Sequence, residues 1–251
     1  MPNHITNELS CDRPEVLEEI AGEDSDGEFR VDFGKIVPMP SVLSNSPDCE
    51  VIDWARFCMG HYRVSDIESQ HGMSAVEPFK AGNYGGAADA LKASIMVRFL
   101  CEGNMPKDWT EKRFEDFIGC LMALRSTGHP SWYDWSIENW GTKWNAYSCE
   151  RRGEKFRFET AWSAPLKFLD SLSRKHPDNQ FRLRWADEDS GANTGDLTVQ
   201  NGNVISGERP DNYSPEAWRL CFELNWDGEC PEEYERQSDG TYKYIEGESS
   251  E

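Results

Sequence analysis

The chain predicts an α+β fold: a split βαβ antiparallel sheet, interrupted by a large helical insertion and followed by an acidic C-terminal extension. Three observations lead there. Apolar residues alternate near the N-terminus and again after residue 140, the period turns helical between about 48 and 128, and the last quarter of the chain is strongly acidic.

The elements follow in order. In HITNELSC, Ile5, Leu9 and Cys11 share one parity, which predicts a short strand. Pro14 suits a first helical turn, and Val16, Leu17 and Ile20 form a stripe, so a brief helix is expected until Gly22 and EDSDGE break it. FRVDFGKIVPMP alternates Phe29, Val31 and Phe33 and reads as an extended piece ended by Pro38 and Pro40. In WTEKRFEDFIGCLMALRSTG, Phe114, Phe117, Ile118, Leu121 and Met122 fall at helical spacing, with Thr110 as N-cap and Gly128 as stop. AADALKASIMVRFL is a second helix of the insertion, with Leu91, Ile95 and Phe99 on one face.

After the ring-rich stretch SWYDWSIENWGTKW, the segments TKWNAYSC and KFRFETAW form a hairpin across ERRGE. The second of these strands should bury Phe156, Phe158, Thr160 and Trp162, leaving Arg157 and Glu159 opposite. Ser163 is expected to cap the helix APLKFLDSLSRK, with Leu166, Leu169 and Leu172 inward and His176–Pro177 as its end. QFRLRWAD is a strand burying Phe181, Leu183 and Trp185, with Arg182 and Arg184 on the other face. One capped helix, SPEAWRLCFEL, stands in the tail, and the terminal GESSE is expected to be disordered. Without the insertion the order is strand, helix, strand, strand, helix, strand, which is the ferredoxin-like arrangement. The expected organisation is a discontinuous α+β domain of residues 1–47 and 129–210, a helical insertion of 48–128, and an acidic extension of 211–251.

Composition narrows the function classes. The net charge is −20, which disfavours simple attraction to nucleic acid or an anionic membrane. It is uneven: residues 151–185 hold nine bases and four acids, whereas residues 186–251 hold four bases and seventeen acids. No apolar run is long enough to span a bilayer, and the N-terminus lacks a secretory pattern, so a cytoplasmic location, the host cytoplasm for a mobile-element protein, is expected. The eight cysteines are widely spaced with no C-x-x-C pair, which suits reduced packing thiols; no metal and no cofactor are expected.

MPNHITNEL, DFGKIVPMP, and WYDWSIENWGTKWNA followed by FETAWSAP resemble phage and plasmid proteins carrying a YubB-type ferredoxin-like domain. The resemblance covers roughly 1–43 and 131–190. It implies a mobile-element origin and the ferredoxin-like topology. It carries neither a reaction nor an iron–sulfur cluster, and clustered cysteine ligands are missing here.

No catalytic constellation stands out. The five histidines are isolated, AGNYGGAADA lacks the lysine of a phosphate loop, and Asp134 and Glu138 form a carboxylate pair no closer in sequence than chance allows among 46 acids. The expected function is therefore that of a non-enzymatic binder of a host protein, a nucleic-acid-handling or defence factor, through a DNA-mimicking acidic surface. Its candidate residues are Glu23, Asp24, Asp26 and Glu28; Asp187, Glu188 and Asp189; and Asp227, Glu229, Glu232, Glu233 and Glu235. Of the tryptophan stretch, Trp140 and Trp144 are expected in the core, and Trp132 and Tyr133 at the surface as binding candidates. An alternative is nucleic-acid binding on an open basic sheet face made by Arg157, Arg182 and Arg184, unless the acidic tail or an acidic partner covers that face. A further alternative is an enzyme or small-ligand site between insertion and sheet.

Overall fold

The first strand, β1 (His4–Cys11), organises the sheet, because it pairs on both sides and its buried Asn7 and Leu9 stand between Phe158 and Trp185 and between Phe156 and Leu183. The computed structural model describes residues 3–44, 47–60 and 109–245. The chain divides into two compact units, Met1–Pro38 with Ser136–Glu251, and Met39–Trp135.

After β1 comes a 3-10 turn, Pro14–Glu19, in place of the expected α-helix. Its backbone closes through Val16 N–H to Arg13 O and Ile20 N–H to Leu17 O, and no side chain caps it, so a segment this short tightens to i→i+3 bonding. Leu17 and Ile20 are fully buried, as their spacing predicts. Strands β2 (Ala21–Glu23) and β3 (Phe29–Val31) form a small hairpin, and the extended piece then bends into a second 3-10 turn, Phe33–Lys35.

In the second unit, Asp48 caps α1 (Cys49–Cys58) by accepting from Val51 N–H at 3.0 Å. Helix α2 (Glu111–Thr127) starts at Thr110 and stops at Gly128 in the left-handed region (φ +81°), as expected. Its buried stripe is Phe117, Cys120, Ala123 and Leu124, packed on Val51, Trp54 and Phe57 of α1; Ile118 and Met122, expected inward, are exposed. The helix expected at AADALKASIMVRFL, the glycine run before it and the GESSE end lie outside the described residues. Helix α3 (Trp132–Asn139) spans the boundary between the units.

Back in the first unit, β4 (Tyr147–Arg152) and β5 (Lys155–Ala161) form the expected hairpin, but its link is a two-residue turn with Gly153 at φ +63°. Helix α4 (Leu166–Lys175) follows, then β6 (Phe181–Asp187), β7 (Gly195–Gln200) and β8 (Asn203–Glu208). Ser163 is not the cap of α4: Pro165 occupies that position and the Ser163 hydroxyl donates to Gly141 O at 2.6 Å. Helix α5 (Pro215–Asn225) is capped by Ser214, and β9 (Tyr234–Arg236) with β10 (Tyr242–Tyr244) makes a last hairpin.

The six-stranded sheet has the order β4-β5-β1-β6-β7-β8, antiparallel throughout. Its first four strands are the ferredoxin-like set. Strand β5 lies between β1 and β4, and β1 lies between β5 and β6, so each βαβ crossover is split by one antiparallel strand. The helical insertion falls within the first crossover. One face buries Leu9, Phe156, Phe158, Phe181, Leu183 and Trp185, and Phe168 and Leu172 of α4 join that core. Gly195 stands opposite Trp185, and a Cβ there would lie 2.2 Å from the indole, so only glycine lets the ring cross the strand.

The other face is not open. Helix α5 packs on β6 and β1, with Cys221 and Leu224 buried against Ala186. The C-terminal segment from 211, expected as a separate extension, thus continues within the first unit up to its last described residue.

Candidate functional site

The acidic candidates fall into three places, and local geometry decides what each carboxylate can do. In the β2–β3 hairpin, Glu23, Asp24, Asp26 and Glu28 are all exposed. Asp24 is used by the loop itself, because its Oδ1 accepts from Asp26 N–H at 2.9 Å and Glu28 N–H at 3.0 Å. Glu23, Asp26 and Glu28 therefore remain as outward charges.

At the end of β6, Asp187 is buried, contrary to its place among the surface acids. It accepts from Asn3 Nδ2 at 3.1 Å, Asp189 N–H at 3.0 Å and Asn193 Nδ2 at 3.0 Å, which satisfies a carboxylate and ties down the loop after the strand. Strand parity explains it: Asp187 follows Phe181, Leu183 and Trp185 on the core side. Glu188 and Asp189 are exposed.

The third place is the tail. Asp227 pairs with Arg152 at 2.7 Å, whereas Glu229, Glu232, Glu233 and Glu235 are exposed and make no ion pair among the described residues. This segment is not a loose polar end. Tyr234 and Tyr242 of the last hairpin pack on α5, with ring centroids 5.3 and 5.6 Å from Trp218, and Tyr242 sits edge-on to Phe222 at 4.7 Å. Single aromatics in acidic sequence anchor the hairpin, a spacing too sparse to read as a strand pattern. Within its ladder, Glu235 stands opposite Lys243.

The basic face expected to bind nucleic acid is occupied by the protein's own carboxylates. Arg182 makes a two-pronged pair with Asp196 at 2.7 and 2.6 Å. Arg184, whose side chain is only 14% exposed, contacts Glu8 at 3.3 Å, Asp196 at 3.7 Å and Glu223 of α5. Lys155 adds a 3.0 Å pair to Glu8, and Arg219 a 2.8 Å pair to Glu223. Arg157 lies on the same face beside Glu8 in the β1–β5 register. The sequence parity of these residues was right; what it missed is α5 packing on β6 and β1 and pairing Glu223 with Arg184. That is the outcome in which the tail covers the face.

In the second unit, Tyr133 is exposed and Trp132 half-buried, with their rings edge-to-face at 5.9 Å. Trp135 and Trp140 are buried, and Trp140 donates its indole N–H to Val37 O at 2.9 Å. Trp144 and Trp162, both expected in the core, are exposed. For Trp162 the reason is local: β5 ends at Ala161, and Trp162 has φ +70°, which breaks the alternation and turns its ring outward. Asp134 is held by Arg56 at 2.5 Å and Ser131 at 3.0 Å. No cluster of potential metal ligands occurs among the described residues. Burial pushes the Cys11 thiol up to about 11 and the Cys120 thiol to about 12, consistent with inert packing.

The ion pairs make stability depend on pH with a definite sign. Arg151 holds the Glu18 carboxyl below its usual range, and Lys175 with His176 does so for Glu19. For Asp196, burial alone would raise the value, but the Arg182 hydrogen bonds and nearby Arg184 outweigh it and lower it. A depressed folded-state pKa means stabilisation that is present above the unfolded value near 4 and lost as pH falls through the folded values. Urea unfolding should show near-constant stability from about pH 7 to 5 and a decline below about pH 4. A flat profile down to about pH 2 would contradict these pairings.

A family comparison agrees with the ferredoxin-like architecture. Residues 143–229, from just before β4 to just past α5, match the family model described as the ferredoxin-like domain in Api92-like protein. The crystal structure of protein api92 from Yersinia pseudotuberculosis is similar over 84% of this chain and 99% of that one, at 10% identity and a TM-score of 0.38. No curated protein matches the chain. Among the described residues, no helix is long and apolar enough to cross a membrane.

Proposed function

We propose that the chain is a non-enzymatic protein of a phage or plasmid that acts in the host cytoplasm. It binds a nucleic-acid-handling or defence protein there and inhibits it through an acidic surface that substitutes for DNA. One observation carries this reading: five bases of the sheet are paired within the fold while a set of acids is left facing solvent. Arg151, Arg152, Lys155, Arg182 and Arg184 each hold a carboxylate of the same unit. Among the described residues Glu229, Glu232, Glu233 and Glu235 make no ion pair, and the hairpin that holds or follows them is fastened to α5 by aromatic contacts, so the charges are presented on a packed base. A basic cleft is attracted to such an array at long range, and its affinity falls steeply with salt.

Nucleic-acid binding through Arg157, Arg182 and Arg184 is the weaker reading, because two of the three guanidiniums would have to break carboxylate pairs first. The test is retention of proteins from a host lysate at about 50 and about 200 mM salt. The expected result is capture of a nucleic-acid-binding protein at the lower salt, lost when Glu229, Glu232, Glu233 and Glu235 are all changed to Gln with the circular dichroism unchanged. Capture of no such protein, or capture indifferent to the four substitutions, would sink the proposal.

A further inference from the structure

At one end of the sheet, two tryptophans stand in solvent with an amine between them. Trp144 is 38% exposed and Trp162 44% exposed. The Nζ of Lys143 lies 4.6 Å from the centroid of the first ring and 4.5 Å from that of the second, within cation–π range of both. Neither ring is placed casually. Trp162 holds a left-handed backbone that bulky residues rarely adopt, and its N–H donates to Asn3 O at 2.9 Å. Trp144 packs edge-on to Tyr147, whose hydroxyl is 2.9 Å from His4 Nδ1.

The surroundings are anionic. Glu159 lies 3.5 Å from His4, and Glu188 is fixed through its N–H to His4 O. Tyr147 reports the same field: burial first, then the charges of Glu159 and Glu188, push its hydroxyl up to about 12.

We propose that Trp144 and Trp162 form a cation-recognition cage whose external ligand is an arginine or lysine side chain of a partner protein, with Lys143 as its resident occupant in the unbound state. The bound amine demonstrates which chemistry the rings accept. Lys143 sits on a flexible stem, so rotation of one side chain withdraws the amine from both rings. A guanidinium is flat, stacks on indoles and is weakly hydrated, and so suits two exposed rings better than the ammonium it displaces. A nucleobase would also stack, but its phosphate would meet Glu159, Glu188 and a chain of net charge −20. This site does not rest on the acidic hairpin or on the function proposed from it.

The probe is N-acetyl-arginine methylamide, titrated into the full chain while the indole N–H resonances are followed by NMR, with N-acetyl-leucine methylamide as the neutral control. The arginine compound should move the Trp144 and Trp162 resonances. It should bind about threefold more tightly to Lys143→Ala, from which the resident cation is gone, the scale of one exposed cation–π contact. Trp162→Ala should abolish the response at Trp144 while the remaining resonances stay in place. The proposal is overturned if neither wild type nor Lys143→Ala responds, if the neutral control gives the same shifts, or if the affinity is the same with and without Lys143. A response of the two indoles to a thymidine oligonucleotide but not to the arginine compound would overturn it in favour of base stacking. Because the probe is a small molecule, the result is independent of whether a host protein binds the tail.

Discussion

Phe33→Ala is expected to destabilise the first unit by about 3–5 kcal/mol, measured as a fall in the urea midpoint with little change in slope. Phe33 is fully buried and carries the connection after β3 into the main core. Its ring lies 4.2 Å from Phe168 of α4, 5.8 Å from Phe158 of β5 and 5.9 Å from Trp140, so truncation opens a hole among three elements at once. The backbone around it is pinned. Asn145 accepts from Phe33 N–H at 2.9 Å and donates to Asp32 at 2.7 Å, and Asp32 accepts from Gly34 N–H. These bonds oppose collapse of the cavity, which places the cost at the upper end of the range. A loss below about 1 kcal/mol would mean that the Phe33 turn is not docked as described.

Arg184→Ala is expected to cost about 3 kcal/mol, against about 1 kcal/mol or less for Arg182→Ala, one turn of the pleat away on the same face. The two arginines differ in solvent access, not in chemistry. Arg182 has a side chain 52% exposed, and water can replace it beside Asp196. Arg184 has a side chain 14% exposed beneath α5 and bridges Glu8, Asp196 and Glu223. Its loss removes the shared cation from three carboxylates and, among the described residues, leaves only Lys155 and Arg219 at the edges to offset Glu8 and Glu223. Thermal or urea unfolding of the two variants decides the matter, and equal costs would refute the covered face.

Much of this was legible in the sequence because it depends on neighbours along the chain. Parity placed Phe156, Phe158, Phe181, Leu183 and Trp185 on one side of the sheet and the arginines on the other. Thr110 and Gly128 bounded α2, and Ser214 began α5. The β7–β8 hairpin is also written there. Asn201 and Gly202 both have positive φ (47° and 73°), and Asn-Gly between Leu197, Val199 and Val204 is a strong hairpin signal. The Trp144–Trp162 cage was not legible, because parity assigns Trp162 to the core and only its left-handed backbone turns it out.

By itself, then, the sequence determined the strand-and-helix order, hence the ferredoxin-like sheet with its insertion, and the surplus of acid. Periodicity is a local property, and formal charge needs no coordinates. Only the tertiary structure decided which charges are spent and which remain. Arg184 and Glu223 are 39 positions apart, with β7 and β8 between them, and their pairing exists only because α5 folds back on the sheet. The same folding back seated the tail hairpin on Trp218 and Phe222 and left Glu229, Glu232, Glu233 and Glu235 outward. Ion pairing depends on distance and solvent access, and neither is defined until elements remote in sequence have packed.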